Sequence, residues 1–312
     1  MSGGARRPAR VLAVMGPTAS GKSAVAHEIA RRIGGELVVA DPFQRYRGLE
    51  VAADTPRPTE RDQVPHHCIL DLGLSERSTA AGYAERAHRA IDDILARGRV
   101  PVVSGGTGLY VRAALCDLGF PPEPSDAVRA WAEELARTEP TAALDALGAL
   151  DPGRAAAIDR RNPRRVARAL ALARATGGPA PAGDALWSQE TRHPTLLLAL
   201  SRPRGELDRR IAARVRRELD DGLVAELEAA LDNTPELARE PAQIIGMREI
   251  AAMRAGELSA DDLPARIEAR TRRLARKQLT WLRKTPGLVT IDLGERAPGD
   301  VVDEILNLWE GG

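Results

Sequence analysis

The chain has 312 residues, with 45 Lys or Arg against 44 Asp or Glu, a formal net charge of +1. At 43% hydrophobic and 29% charged it can bury a core in two or three domains, or in one elaborated domain, and its near-neutral total speaks against a polyanionic partner. Cys68 and Cys116 lie far apart and outside any C-x-x-C, which disfavours a disulfide framework or a Cys-rich zinc site, and no apolar run is long enough for a membrane span.

The basic stretch from Met1 to Arg10 lacks the apolar core of a signal peptide and reads as a frayed terminus of a cytoplasmic, monomeric protein. Val11 to Met15 is a short apolar run that reads as a buried parallel strand. A helical pattern from Ser23 to Ile33 follows and stops at Gly34-Gly35. Glu36 to Ala40 is a second strand, ending at Asp41, and Arg45 to Pro65 is a polar, Pro-rich stretch. Thr79 to Ala96 is a helix and Val100 to Ser104 a third strand, closed by Gly105-Gly106. This alternation predicts an α/β fold, a P-loop NTPase-like parallel sheet flanked by helices.

After Leu118 the pattern changes. Gly119 to Ser125 is a turn-rich hinge, and four helical segments follow: Asp126 to Arg137, Thr141 to Leu147, Pro152 to Ile158 and Pro163 to Ala175. Gly177 to Gly183 reads as a linker, and Thr195 to Leu200 as a strand returning to the sheet. Helices are expected over Arg204 to Leu231, Ala242 to Ala255 and Asp261 to Lys284, then a strand at Leu288 to Asp292 and a helix at Gly299 to Trp309. The expected organisation is a catalytic core, 10–119 with 190–312, interrupted by an all-helical insertion domain at 120–189.

Gly16-Pro17-Thr18-Ala19-Ser20-Gly21-Lys22-Ser23 matches G-x-x-x-x-G-K-[ST] without deviation, between a strand and a helix. Glycines let successive amides curl around phosphate oxygens, the helix N-terminus and Lys22 add positive charge, and Ser23 can place its hydroxyl on Mg²⁺. The loop holds a di- or triphosphate, as nucleotide- and ATP-binding proteins do, without having to hydrolyse it. Asp41 ends a strand and so belongs near this loop. It could hold Mg²⁺ through water, act as a general base, or simply shape a turn. Gln44 could bond a nucleobase edge or orient Asp41. Thr107 offers a hydroxyl in the glycine turn Gly105 to Tyr110, while Tyr110 reads as core.

Two segments depart from the neutral average. Pro264 to Thr285 holds eight basic residues and only one acid, Glu268, a net +7; Asp159 to Arg174 holds six against Asp159 alone, a net +5. Arg161, Arg165 and Arg168 recur at the spacing of one helix face. Single-sign helices of this kind meet phosphates, and Trp281 is either a stacking platform or a core anchor.

Six motifs now stand together: the loop 16–23; Ala40-Asp41-x-x-Gln44-x-Tyr46-Arg47-Gly48; Pro65-His66-His67; Gly105 to Tyr110; Ile245-Gly246 with Glu249; and Arg276-Lys-Gln-Leu-Thr-Trp281. Over residues 10 to 290 the chain resembles the tRNA dimethylallyltransferase (tRNA isopentenyltransferase) family. The resemblance implies transfer of a dimethylallyl group from dimethylallyl diphosphate to N6 of the adenosine at position 37 of tRNA, with Mg²⁺. It implies that Gly16 to Ser23 hold the donor's diphosphate and that Ser23 meets the metal. It further implies catalytic roles for Asp41 as general base, Thr107 beside the adenosine, and Arg214 facing the diphosphate. As tRNA-contacting positions it implies Asp41, Pro42, Phe43, Gln44, Thr107, Arg129, Arg164, Arg165, Arg168, Gln243, Gly246, Arg248, Arg276, Lys277, Gln278, Trp281 and Arg283, with the helical insertion gripping the anticodon stem-loop.

Some positions depart from the family. Pro42 stands where Ser is usual after the acid, with Phe43 and Arg45 where Met and Val flank the Gln. Ala52-Ala53-Asp54-Thr55-Pro56 replaces Gly-Thr-Ala-Lys-Pro, and Asp159-Arg160-Arg161-Asn162 replaces His-Pro-Asn-Asp. These departures keep other functions in view: prenyl transfer to a free adenine nucleotide, as in cytokinin synthases, a small-molecule kinase sharing the phosphate loop, and an RNA-binding relative without activity.

Overall fold

The computed structural model describes residues 11–179, 184–294 and 296–311. The expected frayed terminus, Met1 to Arg10, and the last four residues of the Gly177 to Gly183 linker lie outside the described residues. Two compact units divide the chain: residues 1–117 with 186–312, and residues 118–185.

The first unit is built on six strands: β1 (Val11–Met15), β2 (Glu36–Val39), β3 (His66–His67), β4 (Pro101–Gly105), β5 (Thr195–Ser201) and β6 (Val289–Asp292). Their order is β3-β2-β4-β1-β5-β6, and every pairing is parallel. Strands buried on both faces read as continuous apolar runs, and all five residues of β1 are buried. The ends of β1, β2 and β4 meet at one edge, because Met15 pairs with Gly105 and Val39 with Ser104. Helices α1 (Lys22–Ile33), α3 (Ala80–Ala96) and α4 (Gly108–Leu115) provide the crossovers. Val25, Ala26, Ile29 and Ala30 of α1 join Leu12, Val14, Leu198 and Leu200 in one core. That core is extended by Val302 and Ile305 of a terminal helix, Val302–Gly311.

Where sequence and structure differ, backbone conformation explains it. The helix expected over Arg204 to Leu231 is two, α9 (Arg204–Asp220) and α10 (Leu223–Asn233), because Gly222 breaks it at φ 97°. Gly246, at φ 104°, likewise postpones the next helix to Met247–Arg254. The long basic helix, α12, runs Leu263–Lys284. Inside the Pro-rich stretch lies a short helix, Pro58–Gln63, and directly after that stretch an edge strand of two residues, each too brief for periodicity to reveal. A second core forms where Leu207, Ile211 and Val215 of α9 meet Tyr46, Leu49, Ile250 and Ile267.

The second unit contains four helices: Asp126–Thr138, Pro140–Leu150, Pro152–Ala157 and Pro163–Thr176. Its core is small-sided, with Ala132, Ala136, Ala143, Ala167 and Ala171 around Leu147 and Leu170. The expected face of Arg161, Arg165 and Arg168 is corrected here: Asn162 caps the last helix by accepting from the Arg165 amide at 3.3 Å, so Arg161 precedes the helix. The exposed cations on the helix are Arg164, Arg165, Arg168 and Arg174, the last lying 4.4 Å from the centre of the Trp131 ring. Residues 186–189 belong to the first unit: the Ser188 carbonyl accepts from buried Arg112 at 2.7 Å, and the Trp187 ring lies 4.8 Å from that of Trp281. Among the described residues no helix is long and apolar enough to cross a membrane.

Beneath the sheet edge, Glu36 is 2% exposed. It accepts from Arg97, from Arg99 at 3.1 Å and pairs with His67 at 2.7 Å. The Arg97 guanidinium holds its carboxyl well below the usual range, at about 2. A depressed carboxylate contributes stability above its ordinary pKa and loses it as pH falls towards the folded value. Glu36→Gln is therefore expected to cost about 1–3 kcal/mol in urea melts near pH 7. The gap from wild type should close as pH falls from about 5 towards 2; a gap that is constant with pH would show that the charge is not what matters.

Candidate active site

The phosphate loop occupies the turn from β1 into α1. Gly21 is the N-cap of α1 at φ 95° and offers no side-chain cap, so the first amides of the helix stay available to an anion. Gly16 has no room for a side chain: a Cβ there would lie 2.6 Å from Ser20 Oγ.

A loop whose amides turn inward must satisfy its outward groups elsewhere. Gln278 of α12, 7% exposed, accepts from the Thr18 amide at 2.8 Å. Arg210 of α9 donates to the Ala19 carbonyl at 2.9 Å, and Arg202 donates to the Ser20 carbonyl at 2.8 Å. Arg202 also donates to the carbonyls of Gly294 and Arg296, at 2.8 and 3.0 Å. Arg214, one turn beyond Arg210, donates to Thr18 Oγ1 at 2.9 Å.

Arg210, Arg214 and Arg217 line a cleft of about 1060 Å³ with Lys22, Ser23, Asp54 and Thr55. Burial pushes the Lys22 ammonium below the usual lysine range, with the charge of Asp41 pulling the other way. For Arg214 burial also acts to lower the pKa, but Asp54 and Glu218 outweigh it and the net shift is upward. Arg214 meets Glu218 at 2.6 Å and Asp54 at 3.0 Å, and Arg217 meets Asp54 at 2.7 Å.

A second pocket opens on the other side of Lys22 and Ser23, where Asp41, Gln44, Ser104 and Gly105 line it together with His27 and His66. Asp41 follows β2, and Gly105 is required beside it because a Cβ there would strike the Ala40 backbone. One Asp41 oxygen accepts from the Phe43 amide at 2.9 Å, closing a turn. Gln44 does not orient Asp41: its amide donates to the carbonyls of Ala53 and Asp54, each at 3.3 Å. Pro42 and Phe43 are half-buried in that turn. Arg45 points away from the site and is buried against Asp71 at 2.8 Å. Thr107 caps α4 without using its hydroxyl as the cap, and Tyr110 is core, as its apolar setting suggests.

The glycine turn also receives α12. A Cβ on Gly106 would meet Gln278, and one on Gly108 would meet the Trp281 ring. Trp281 is thus half-buried between Gly108 and Trp187 rather than free on the surface. Exposed cations on α12 include Arg273, Arg276, Lys277, Arg283 and Lys284, whereas Arg270 and Arg272 are taken up by Glu249 at 2.6 Å and Glu268 at 2.5 Å. Gly246 is buried and would drive a Cβ to 2.6 Å from Leu227; Gln243 and Arg248 are exposed nearby. In the helical unit, Arg129 pairs with Asp126 and with Glu123 at 3.9 Å.

Sequence reading did not single out Arg202, Arg210 or Arg217. For Arg202 a signal existed, a cation directly after an apolar parallel strand. For Arg210 and Arg217 the mixed charges of α9 looked like a solvated face. Among the described residues no three His, Cys, Asp or Glu side chains could together hold a metal ion. A cation here would take Ser23 and depend on ligand oxygens for the remainder.

The IPP transferase family profile matches residues 44–285; the phosphate loop and Asp41 lie just before this span. A tRNA dimethylallyltransferase of Anaeromyxobacter sp. (strain K) is 44% identical over 286 residues, covering 90% of this chain and 92% of that protein. One of Salinispora tropica is 38% identical, covering 90% and 88% respectively. The crystal structure of the full-length tRNA isopentenylpyrophosphate transferase of Bacillus halodurans superposes with a TM-score of 0.70 at 30% identity, covering 98% of this chain and 96% of that one.

Removing the amide of Gln278 tests the loop's support. Gln278→Leu leaves the Thr18 N–H buried without a partner and is expected to cost about 1–3 kcal/mol in denaturant melts. A neutral result would mean that the loop keeps its shape without α12.

Proposed function

The chain belongs to the IPP transferase family, and from that premise we propose that it moves a dimethylallyl group from dimethylallyl diphosphate to N6 of the adenosine at position 37 of tRNA. One observation supports the reading most: the same Lys22–Ser23 wall borders both the arginine-lined cleft and the pocket holding Asp41 and Gln44. An anion cradle and a carboxylate base are therefore neighbours across Lys22 and Ser23.

In this reaction N6 bonds to the allylic carbon, the carbon–oxygen bond to diphosphate breaks, and N6 loses a proton. Charge develops on the leaving diphosphate, where the loop amides, Lys22 and Arg214 stabilise it. Asp41 uses one oxygen to close its own turn, and the other takes the N6 proton. Gln44 holds the adenine edge and Thr107 lies beside the base. Ser23 would hold Mg²⁺ on the protein side, and the ion would supply neutralisation of the diphosphate oxygens.

A base stacked in an anticodon loop must be flipped out to reach such a pocket. Exposed cations that meet no carboxylate among the described residues track the RNA phosphates: Arg164, Arg165 and Arg168 in the helical unit, and Arg276, Lys277 and Arg283 on α12. The side chain of Gln278 works on the phosphate loop from within the protein. The protein acts as a monomer in the cytoplasm, where its tRNA substrate is.

Labelled dimethylallyl diphosphate should label unmodified tRNA bearing adenosine 37; preferential labelling of AMP, or none in tRNA by folded protein, would overturn the proposal. Asp41→Asn should lower kcat by roughly 10²- to 10⁴-fold with donor affinity retained. Losing each phosphate contact should also reduce the salt dependence of tRNA binding. Arg276→Ala with Lys277→Ala is expected to make the slope of log K against log salt shallower by about 1–2, uniformly across tRNAs; a change confined to one tRNA sequence would instead indicate base reading.

A further inference from the structure

Asp54 is an anion in the middle of an anion-binding site. It lies in the cleft with Lys22 and Ser23, and its carboxylate bridges Arg214 at 3.0 Å and Arg217 at 2.7 Å. The Arg214 nitrogen that it holds is also the one donating to Thr18 of the phosphate loop. The residues that follow it, Thr55 and Pro56, add no charge to offset the carboxylate.

The carboxylate is also held in place. Asp54 adopts φ 50°, a left-handed conformation that aspartate enters more readily than most side chains and that its neighbours fix here. Those neighbours are explicit. Glu226 accepts from the amides of Val51 and Ala52 at 2.8 and 2.9 Å, the Thr55 amide donates to the Glu50 carbonyl at 2.9 Å, and Gln44 donates to the Asp54 carbonyl. Lys22, Arg214 and Arg217 thus face a fixed oxyanion before any ligand arrives. Glu218, on the far side of Arg214, satisfies that guanidinium's Nε and leaves its Nη1 to Thr18 and Asp54.

We propose that Asp54 is an intramolecular stand-in for the donor's diphosphate, one that the substrate displaces from Arg214 and Arg217 and that returns as diphosphate leaves. This rests on the diphosphate reading of the cleft. It makes Asp54 a determinant of donor and product affinity: the protein holds diphosphate less tightly than its cations alone would, and releases it faster.

Titration of inorganic pyrophosphate by calorimetry, at fixed Mg²⁺ and salt, tests the idea with Asp54→Asn and Asp54→Gly. Both replacements tolerate the left-handed backbone, and thermal melts confirm folding. Each is expected to bind pyrophosphate about three- to tenfold more tightly than wild type, the size of one partly exposed ion pair. Affinity that is equal or weaker overturns the proposal. A weakening that appears only with Mg²⁺ would make Asp54 a metal ligand, which also overturns it. Lys22→Met separates the premise from the proposal. If it binds pyrophosphate as well as wild type does, the diphosphate reading fails. If it abolishes binding while the Asp54 variants gain nothing, only the stand-in fails.

Discussion

Everything around the catalytic edge follows from one constraint: a backbone loop that turns its amides towards an anion must turn its carbonyls away from it. In a buried position those carbonyls need donors. Arg202 and Arg210 supply them for Ser20 and Ala19, and Gln278 takes the Thr18 amide. Supports come from the end of β5, from α9 and from α12, so the three segments that follow the helical insertion in sequence converge on a turn near the N-terminus. Helices α9 and α12 pack together through Leu207, Ile211, Ile267 and Ala275, which holds their polar side chains to a common target.

Charge follows the same logic. A net charge near zero concealed two basic segments, and the structure divides the second of them again. On α12, Arg270 and Arg272 are neutralised by Glu249 and Glu268, and Gln278 faces the phosphate loop, while Arg276, Lys277 and Arg283 face outward. One helix thereby carries both a buried scaffold for small-molecule phosphate chemistry and an exposed set of cations suited to a polynucleotide. Its 22 residues make that possible, since successive turns can be assigned to different tasks.

Local patterns exposed much of this in the sequence. The apolar run before Gly16, the glycine–lysine–serine spacing and the acid ending the second strand are short-range features, and they located the central strands, the loop and Asp41. Features that depend on contacts between distant segments stayed hidden. The clamp of Gln278 on Thr18 spans 260 positions, and nothing near either residue announces it. Arg45 stood out in the sequence only as a departure from the family pattern beside Gln44; the structure buries it against Asp71. The Arg161 face failed for a local reason: Asn162 caps a helix that starts at Pro163, two residues too late to include it. The break in α9–α10 at Gly222 was missed because hydrophobic spacing continues across it.

Gln44 carries a consequence for selectivity. Its amide nitrogen is already shared between the carbonyls of Ala53 and Asp54, at 3.3 Å each. A base edge that recruits this nitrogen therefore trades hydrogen bonds instead of adding them, and the two it replaces are long and weak. A base that offers a well-placed acceptor makes the trade favourable; one that offers only donors is left to the amide oxygen. Discrimination at this position is thus a comparison with an internal competitor, and the backbone of the 50–55 segment sets the threshold that an incoming base has to exceed.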